Sequence, residues 1–212
     1  MKKIIFTLTI MAIVFSANAQ KKAVTENGEE VLLYKDGTWK YSEPSEEEEK
    51  KEIPTNTKKY DKPDGASFLL KSNKAKVGFW IDSKKWTFKK AENNKDAEYE
   101  LQLKKGDLYA MIISEKVEIQ LESLRDIAVD NGKSVAPDLE VVKEEYRTVN
   151  GQKVLCIKMN GSMQGIKIAY FGYYYSNSEG TVQFVTYTSQ NLANEYEEVA
   201  ENLLNGITKI DN

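Results

Sequence analysis

Carboxylates are the groups in this sequence whose chemistry could support catalysis. The chain of 212 residues contains 33 aspartates and glutamates and no histidine. The lack of histidine excludes a histidine general base, a Ser–His triad, a Cys–His pair and a histidine-bound metal. The single cysteine, Cys156, excludes an intrachain disulfide and a cysteine-rich zinc site. Any catalysis therefore depends on how the carboxylates are spaced.

The spacing of the carboxylates favours a solvated surface over a hydrolytic site. A glycosidase needs two carboxyl groups that face each other across a cleft. Glu144 and Glu145 point in different directions on a predicted strand, and Asp126 and Asp130 share one face of a predicted helix. Because charged residues are mostly exposed, we interpret these groups as surface residues. A carboxylate-based hydrolase of envelope glycans remains the alternative.

Metal and nucleotide sites have little support in the sequence. The oxygen-rich segment 92–98 lacks the glycine turn and the ligand spacing of a calcium loop. Gly161, Gly165 and Gly172 do not form a phosphate-binding pattern. We therefore predict no catalytic residue, no metal and no cofactor. The net charge of -3 argues against nucleic acid as a partner, because nucleic-acid binding needs a concentrated basic face.

The aromatic run 170–175 is the stretch best suited to recognition. Tyrosine joins a large apolar ring to a polar tip, as protein interfaces and sugar sites require. A strand buried on both faces also explains the run, and it is the preferred interpretation. Where the run is exposed, Tyr173 and Tyr175 are the candidates for contact with a partner or ligand, because they share a face with Lys167.

Residues 1–19 have the pattern of a bacterial secretory signal peptide. Lys2 and Lys3 precede an apolar run of 12 residues at 4–15 that only Thr7 and Thr9 interrupt. Small residues at 17–19 then provide a cleavage site before Gln20. Twelve helical residues span about 18 Å, which is too short for a hydrocarbon core of roughly 30 Å. We predict a soluble exported protein, periplasmic or extracellular, with no transmembrane segment after cleavage.

Two segments separate the signal peptide from the globular part. Asn27-Gly28 and Asp36-Gly37 are strong hairpin signals and predict a meander of three short strands over 20–41. So short a segment cannot bury a core alone, and Trp39 and Tyr34 are its natural anchors on a partner or surface. Residues 42–65 hold three of the chain's four prolines and an acidic run, which predict a flexible charged linker.

Residues 66–212 are predicted to form one domain with alternating strands and two amphipathic helices. The helices are expected at about 119–131 and 192–205, and a four-stranded meander at 139–189 with turns at Asn150-Gly151 and Asn160-Gly161. The strand at 166–175 is apolar on both faces, so both faces of its sheet need a cover. The fold class is therefore α+β: an α/β/α sandwich with a central, mainly antiparallel sheet and one helix per face. Cys156 lies in an apolar strand and is expected to be buried.

Six short motifs follow one another along the globular part. They are Gly78-Phe79-Trp80-Ile81 with the later Trp86, Leu121-Glu122-Ser123-Leu124, Val149-Asn150-Gly151-Gln152, Tyr170-Phe171-Gly172-Tyr173, Gly180-Thr181-Val182-Gln183-Phe184 and Leu203-Leu204-Asn205-Gly206-Ile207. Through them the chain resembles, from about Ala66 to Ile210, the PsbP-like fold family, which includes photosystem II PsbP, Ran-binding Mog-like proteins and small exported bacterial proteins. The meander's Asp36-Gly37-Thr38-Trp39 is similar to an element of exported proteins of the Bacteroidetes type.

The resemblance implies a fold that binds partners and has no common catalytic residues. Neither a Ran-binding surface nor a photosystem site can be carried over to residues of this chain. We therefore predict an exported, non-enzymatic binding or accessory protein of the bacterial envelope, whose partner is an unknown envelope protein or small ligand. A small-ligand carrier is the second alternative beside the hydrolase, and it requires an apolar pocket.

Overall fold

The computed structural model describes residues 21–25, 28–34, 36–42, 52–92 and 94–210. The predicted signal peptide at 1–19 and the acidic run at 46–49 lie outside the described residues. Within the described ranges, no helix has both the length and the hydrophobicity that crossing a membrane requires.

The described part of the chain forms fourteen strands, two α-helices and one 3₁₀ turn. In chain order these elements are β1 Lys21–Val24, β2 Glu30–Leu33, β3 Trp39–Tyr41, β4 Thr55–Tyr60, β5 Phe68–Lys71, β6 Val77–Ile81, β7 Trp86–Lys90, β8 Ala97–Leu103, β9 Tyr109–Glu115, α1 Leu121–Val135, β10 Glu140–Val149, β11 Gln152–Met163, β12 Ile166–Asn177, β13 Gly180–Ser189, the 3₁₀ turn Gln190–Leu192, α2 Ala193–Leu204 and β14 Ile207–Lys209.

The main sheet has eight strands in the order β4-β10-β11-β12-β13-β9-β8-β7. Its neighbours pair antiparallel except β4 and β10, which pair in parallel. The four strands β10 to β13 follow one another as a meander, as predicted. The mainly antiparallel sheet of the predicted α+β class is therefore confirmed.

Both faces of the main sheet are buried, and α1 and α2 lie on opposite faces. The α1-side core contains Leu124, Ile157 and Tyr174. The α2-side core contains Tyr173, Phe184 and Leu204, among others. A second sheet, in the order β14-β6-β5, joins α2 as cover on this face. Four of the five residues of β6 are buried, which explains its place, because a strand inside a covering layer needs apolar residues on both faces.

Two predicted turns of the β10–β13 meander have different outcomes. Asn150 and Gly151 both have positive φ, 47° and 77°, as a two-residue type I′ hairpin requires. The predicted turn at Asn160-Gly161 is wrong, because β11 continues to Met163 and turns at Gln164-Gly165. Gly161 serves packing instead. A Cβ there would lie 3.0 Å from the Cβ of Ala136, so the glycine lets the end of α1 approach the sheet.

The predicted linker 42–65 contains a strand of the main sheet. β4 lies at the sheet edge, with Tyr60 opposite Val149 of β10. Tyr60 is buried in the α2-side core, and Asn56 donates a hydrogen bond to Glu145. The linker prediction is therefore wrong for Thr55–Tyr60. An edge strand that buries few side chains has a polar composition, so charge and proline content do not reveal it.

Candidate functional site

The N-terminal sheet β1-β2-β3 packs against the domain beside the start of α1. Val24 contacts the α1-side core, in which Val117 and Leu121 also pack. Gly28 has φ of 82°, and a Cβ at this position would lie 2.7 Å from the carbonyl oxygen of Glu118. The close approach of the two backbones therefore requires glycine here. The predicted N-terminal meander, β1 to β3, therefore docks on its own domain through one face.

The opposite face of this small sheet presents apolar side chains to solvent. Leu33 pairs with Trp39, and Val31 pairs with Tyr41, so these four residues share one face. Val31 is buried, but Leu33, Trp39 and Tyr41 are 40%, 52% and 55% exposed. The rings of Trp39 and Tyr41 meet edge to face with centroids 5.3 Å apart. We call the exposed trio Leu33, Trp39 and Tyr41 the meander face.

The turn between β2 and β3 holds the meander face in place. The Asp36 carboxylate accepts hydrogen bonds from the backbone N–H of Thr38 at 2.9 Å and from its hydroxyl at 2.7 Å. These bonds lower the pKa of Asp36. Tyr34 starts the turn by donating its backbone N–H to Thr38, and its side chain is half-buried. Of the two predicted meander anchors, Trp39 is therefore the more accessible.

Tyr173 and Tyr175, the other predicted contact residues, are buried. Their exposed fractions are 0% and 5%. The Tyr173 hydroxyl accepts a hydrogen bond from Arg147 at 2.8 Å and donates one to Asn205 at 3.0 Å. The preferred interpretation, a strand buried on both faces, holds for these two residues, and the alternative of an exposed contact surface is wrong because α2 and the second sheet cover this half of β12. Lys167, which suggested exposure, lies near the uncovered start of the strand.

Arg147 is the centre of a buried charge cluster on the α2-side face. Its side chain is only 3% exposed, and its nitrogens lie 2.6 Å from Glu145 and 2.7 Å from Glu201. The guanidinium carbon lies 4.6 Å from the centre of the Tyr60 ring. The cluster therefore joins β4, β10, β12 and α2. Composition could not have identified it, because Glu201 is distant from Arg147 in sequence.

The hydrogen bonds of this cluster determine the charge state of Glu145. Burial raises the pKa of Glu145, but hydrogen bonds from Asn56, Arg147 and Lys143 outweigh burial, so its pKa lies below the ordinary value of 4.5. A depressed pKa in the folded state means that ionised Glu145 stabilises the fold. This contribution is present above the unfolded-state pKa and is lost as pH falls through the folded-state pKa.

We expect Glu145→Gln to weaken the acid dependence of stability. The wild-type free energy of unfolding should fall as pH decreases from about 5 towards 3, because the folded carboxylate must take up a proton. The variant should be less stable at pH 7 and should lose less over the same interval. Urea unfolding at a series of pH values measures the free energy of unfolding at pH 7 and its decrease on acidification. Glu140→Gln, an exposed change on the same strand, is the control, and an equal effect of the two substitutions would contradict this role for Glu145.

Two surface grooves flank α2. The first, of about 170 Å³, lies between its start and the sheet, and the 2.6 Å ion pair of Lys158 with Glu197 crosses it. The second, of about 240 Å³, lies between α2 and the end of β6 and includes Trp80. We call the second one the Trp80 groove. In the part of the chain that the structure describes, no group of three or more cysteine, aspartate or glutamate side chains is arranged to hold a metal ion.

Acidic and aromatic side chains both line the Trp80 groove. Asp64, Asp82 and Glu198 line it, with Lys85 as the lining cation. Sequence reasoning placed Asp64 in a linker and gave no signal for this site, because its members come from distant segments. Only Trp80, named among the family motifs, carried a hint.

Comparisons with known proteins show the fold and nothing finer. Neither the family models nor the curated proteins give a match to this chain. A solved structure of cyanobacterial PsbP (CyanoP) from Synechocystis matches with a TM-score of 0.52 and 11% identity, over 67% of this chain and 91% of that chain. LpqN of Mycobacterium tuberculosis, described as involved in cell envelope biogenesis, gives 0.47 and 10% identity over 68% and 90%. PA94 of Pseudomonas aeruginosa, a putative regulator by its description, gives 0.44 and 8% identity over 68% and 98%.

The match to CyanoP covers 67% of this chain, which is about the share that the predicted resemblance from Ala66 to Ile210 occupies. The chain therefore has the PsbP-like fold.

Proposed function

We propose that this protein is an exported, non-enzymatic binding or accessory protein of the bacterial envelope, and that the meander face contacts its partner. The observation that carries the proposal is the exposure of Leu33, Trp39 and Tyr41 side by side on a sheet whose other face is already docked. An exposed apolar patch with aromatic residues is typical of a protein interface. The signal-peptide pattern at 1–19 supports export.

The partner surface is expected to be a protein with an apolar recess. Tryptophan and tyrosine are enriched among the residues that dominate binding energy in interfaces. Trp39 and Tyr41 hold each other in an edge-to-face arrangement, which reduces the ordering that binding would otherwise require. Truncation of such an anchor costs about 2 kcal/mol or more, which is about 30-fold in affinity.

The two alternative functions have weaker support. A hydrolase needs a free acid and a free base that face each other across a cleft. Glu145 and Glu201 are bound to Arg147. The three carboxylates of the Trp80 groove line a surface groove of only about 240 Å³. A carrier of a drug-sized ligand needs a pocket of roughly 300–1,000 Å³. The grooves of about 170 and 240 Å³ are smaller than this.

Site-specific crosslinking in the bacterium that encodes the protein tests the proposal. A photoreactive phenylalanine analogue at Tyr41 should give a discrete protein adduct in the envelope fraction. The matched control is the same analogue at Phe68, which is 41% exposed on β5 and stacks on Phe88. The control position should give no such adduct, because the meander face is the expected contact.

Two further readouts keep the test specific. Adding Trp39→Ala should reduce the Tyr41 adduct about 30-fold, as expected for loss of an interface anchor. The exported protein should begin at Gln20 by intact mass. Retention of residues 1–19 on a cytoplasmic protein, or identical adducts from both crosslinking positions, would overturn the proposal.

A further inference from the structure

β3 is the outer strand of the N-terminal sheet. β1 lies against α1, and β2 lies between β1 and β3. Within the described ranges, β3 pairs with β2 and with no other strand. An edge strand presents unpaired N–H and C=O groups, to which an extended segment of another chain can pair. β3 therefore offers a backbone surface beside the side chains of the meander face.

The hydrogen bonds of the β2–β3 hairpin determine which backbone groups face outward. The Tyr34 N–H donates to the carbonyl oxygen of Thr38 at 2.9 Å. In an antiparallel pair, residues that bond their partner alternate with residues that do not. Lys40 is therefore bonded to β2, while Trp39 and Tyr41 direct their N–H and C=O groups to the free edge.

Trp39 and Tyr41 present both their side chains and their backbone groups at this edge. Their rings, 52% and 55% exposed, belong to the meander face. Residues paired across neighbouring strands have Cβ atoms about 4.5–5.5 Å apart, so their side chains touch. A segment paired to β3 would therefore place alternate side chains against the two rings. Apolar side chains fit these positions best, because each ring offers a large apolar surface.

Lys40 determines which residue the segment carries between its apolar ones. Lys40 lies on the other face of β3, it is exposed, and its ammonium has no ion-pair or hydrogen-bond partner among the described residues. Opposite charges paired across strands attract, and like charges repel. An acidic residue is therefore favoured beside Lys40. A second copy that paired Trp39 with Tyr41 around a twofold axis would place the two copies of Lys40 opposite each other, which argues against self-pairing.

We propose that β3 binds an extended segment of a partner protein as an added strand, with apolar residues against Trp39 and Tyr41 and an acidic residue beside Lys40. This inference rests on the proposed function, because it names the kind of partner that contacts the meander face. The partner's apolar recess receives the two rings, and the segment forms the border of that recess along β3.

Backbone-amide NMR of the full mature chain with synthetic peptides tests the proposal. The probe is acetyl-Ser-Ile-Glu-Ile-Ser-amide. One control peptide has both isoleucines N-methylated, which removes the donors that would face β3, and another has lysine in place of glutamate. Near saturation with the probe, solvent exchange of the Trp39 and Tyr41 amides should slow by about tenfold, because only unbound chains exchange. The Lys40 amide should not change, since it is already bonded to β2.

The decisive variant is Lys40→Glu, which reverses the charge beside the added strand. The wild type should bind the glutamate peptide about two- to fivefold more tightly than the lysine peptide, and the variant should show the opposite preference. Lys84→Glu, at an exposed position in the turn before β7, makes the same change in net charge and should keep the wild-type preference. A thermal melt of each variant confirms that it is folded before the titration.

Four results would overturn the added strand. They are no saturable binding of the glutamate peptide, equal binding of its N-methylated form, an unchanged preference in Lys40→Glu, and slowed exchange that rises with protein concentration when no peptide is present. The last would assign the edge to a second copy. A photoadduct at Tyr41 together with unprotected amides would contradict this inference alone. Protected amides without any adduct in the envelope would contradict only the proposed function.

Discussion

Replacement of Arg147 by methionine should lower the free energy of unfolding by about 3–5 kcal/mol, the range measured when one partner of a buried ion pair is removed. The substitution leaves Glu145 and Glu201 near each other without their shared cation. It also removes the guanidinium from the Tyr60 ring and a hydrogen-bond donor from the Tyr173 hydroxyl. Chemical denaturation of the variant at pH 7 measures the loss.

Arg125→Met is the matched control for this experiment. Arg125 also pairs with two carboxylates, Glu144 and Asp126, but its side chain is 30% exposed. A solvent-exposed pair contributes about 0–1 kcal/mol, so the control should lose no more than that. An equal loss in the two arginine variants would contradict the prediction that burial makes Arg147 more important for stability than Arg125.

A triple substitution separates the loss of pairing from the loss of packing. Replacing Arg147, Glu145 and Glu201 together by apolar residues removes all three charges of the cluster. Exchange of a buried charge cluster for well-packed apolar side chains is often neutral or stabilising. We therefore expect the triple variant to recover most of the stability that Arg147→Met loses.

A fragment that begins at Ala66 should be less stable by about 3–5 kcal/mol than one that begins at Glu52. The shorter fragment loses β4 and with it the buried Tyr60 ring, and removal of a large buried aromatic side chain costs about this much. It also removes the Asn56 hydrogen bond to Glu145. β10 becomes an edge strand with unpaired backbone groups, so we expect the shorter fragment to aggregate as well.

A third fragment that begins at Asp61 identifies β4 as the cause. It retains the loop around Lys62 and lacks only the strand and the residues before it. Its denaturant midpoint should match that of the Ala66 fragment. If the Ala66 fragment were as stable as the Glu52 fragment, the folded unit would begin at residue 66, as the sequence composition suggests.

Local sequence signals predicted some turns and misplaced another for a physical reason. Asn150-Gly151 and Asn160-Gly161 are the same dipeptide, and only the first one turns the chain. The second lies inside β11, where Gly161 admits Ala136 and Leu139 at close range. Glycine satisfies both a positive φ and a close approach, and a local pattern does not distinguish these two uses.

The candidate contact residues were predictable in part. Trp39 lies on a strand that the hairpin signals predicted, and it is exposed. Tyr173 and Tyr175 belong to a strand whose two apolar faces correctly indicated burial. Their supposed exposure rested on Lys167, which shares their face but lies where α2 no longer covers the strand. Alternation along a strand shows which residues share a face, whereas the cover above each residue depends on the other layers.

The sequence by itself determined the class of this protein: a mainly antiparallel sheet with two apolar faces, two helices to cover them, and a buried Cys156. These features follow from periodicity, which acts between residues close together in the chain. The tertiary structure alone decided that β4 completes the sheet, that Arg147 joins Glu145 and Glu201, and that the Lys62 ammonium lies over the Trp80 ring. These are contacts between distant segments whose polar residues have no periodic pattern, so only the folded chain brings them together.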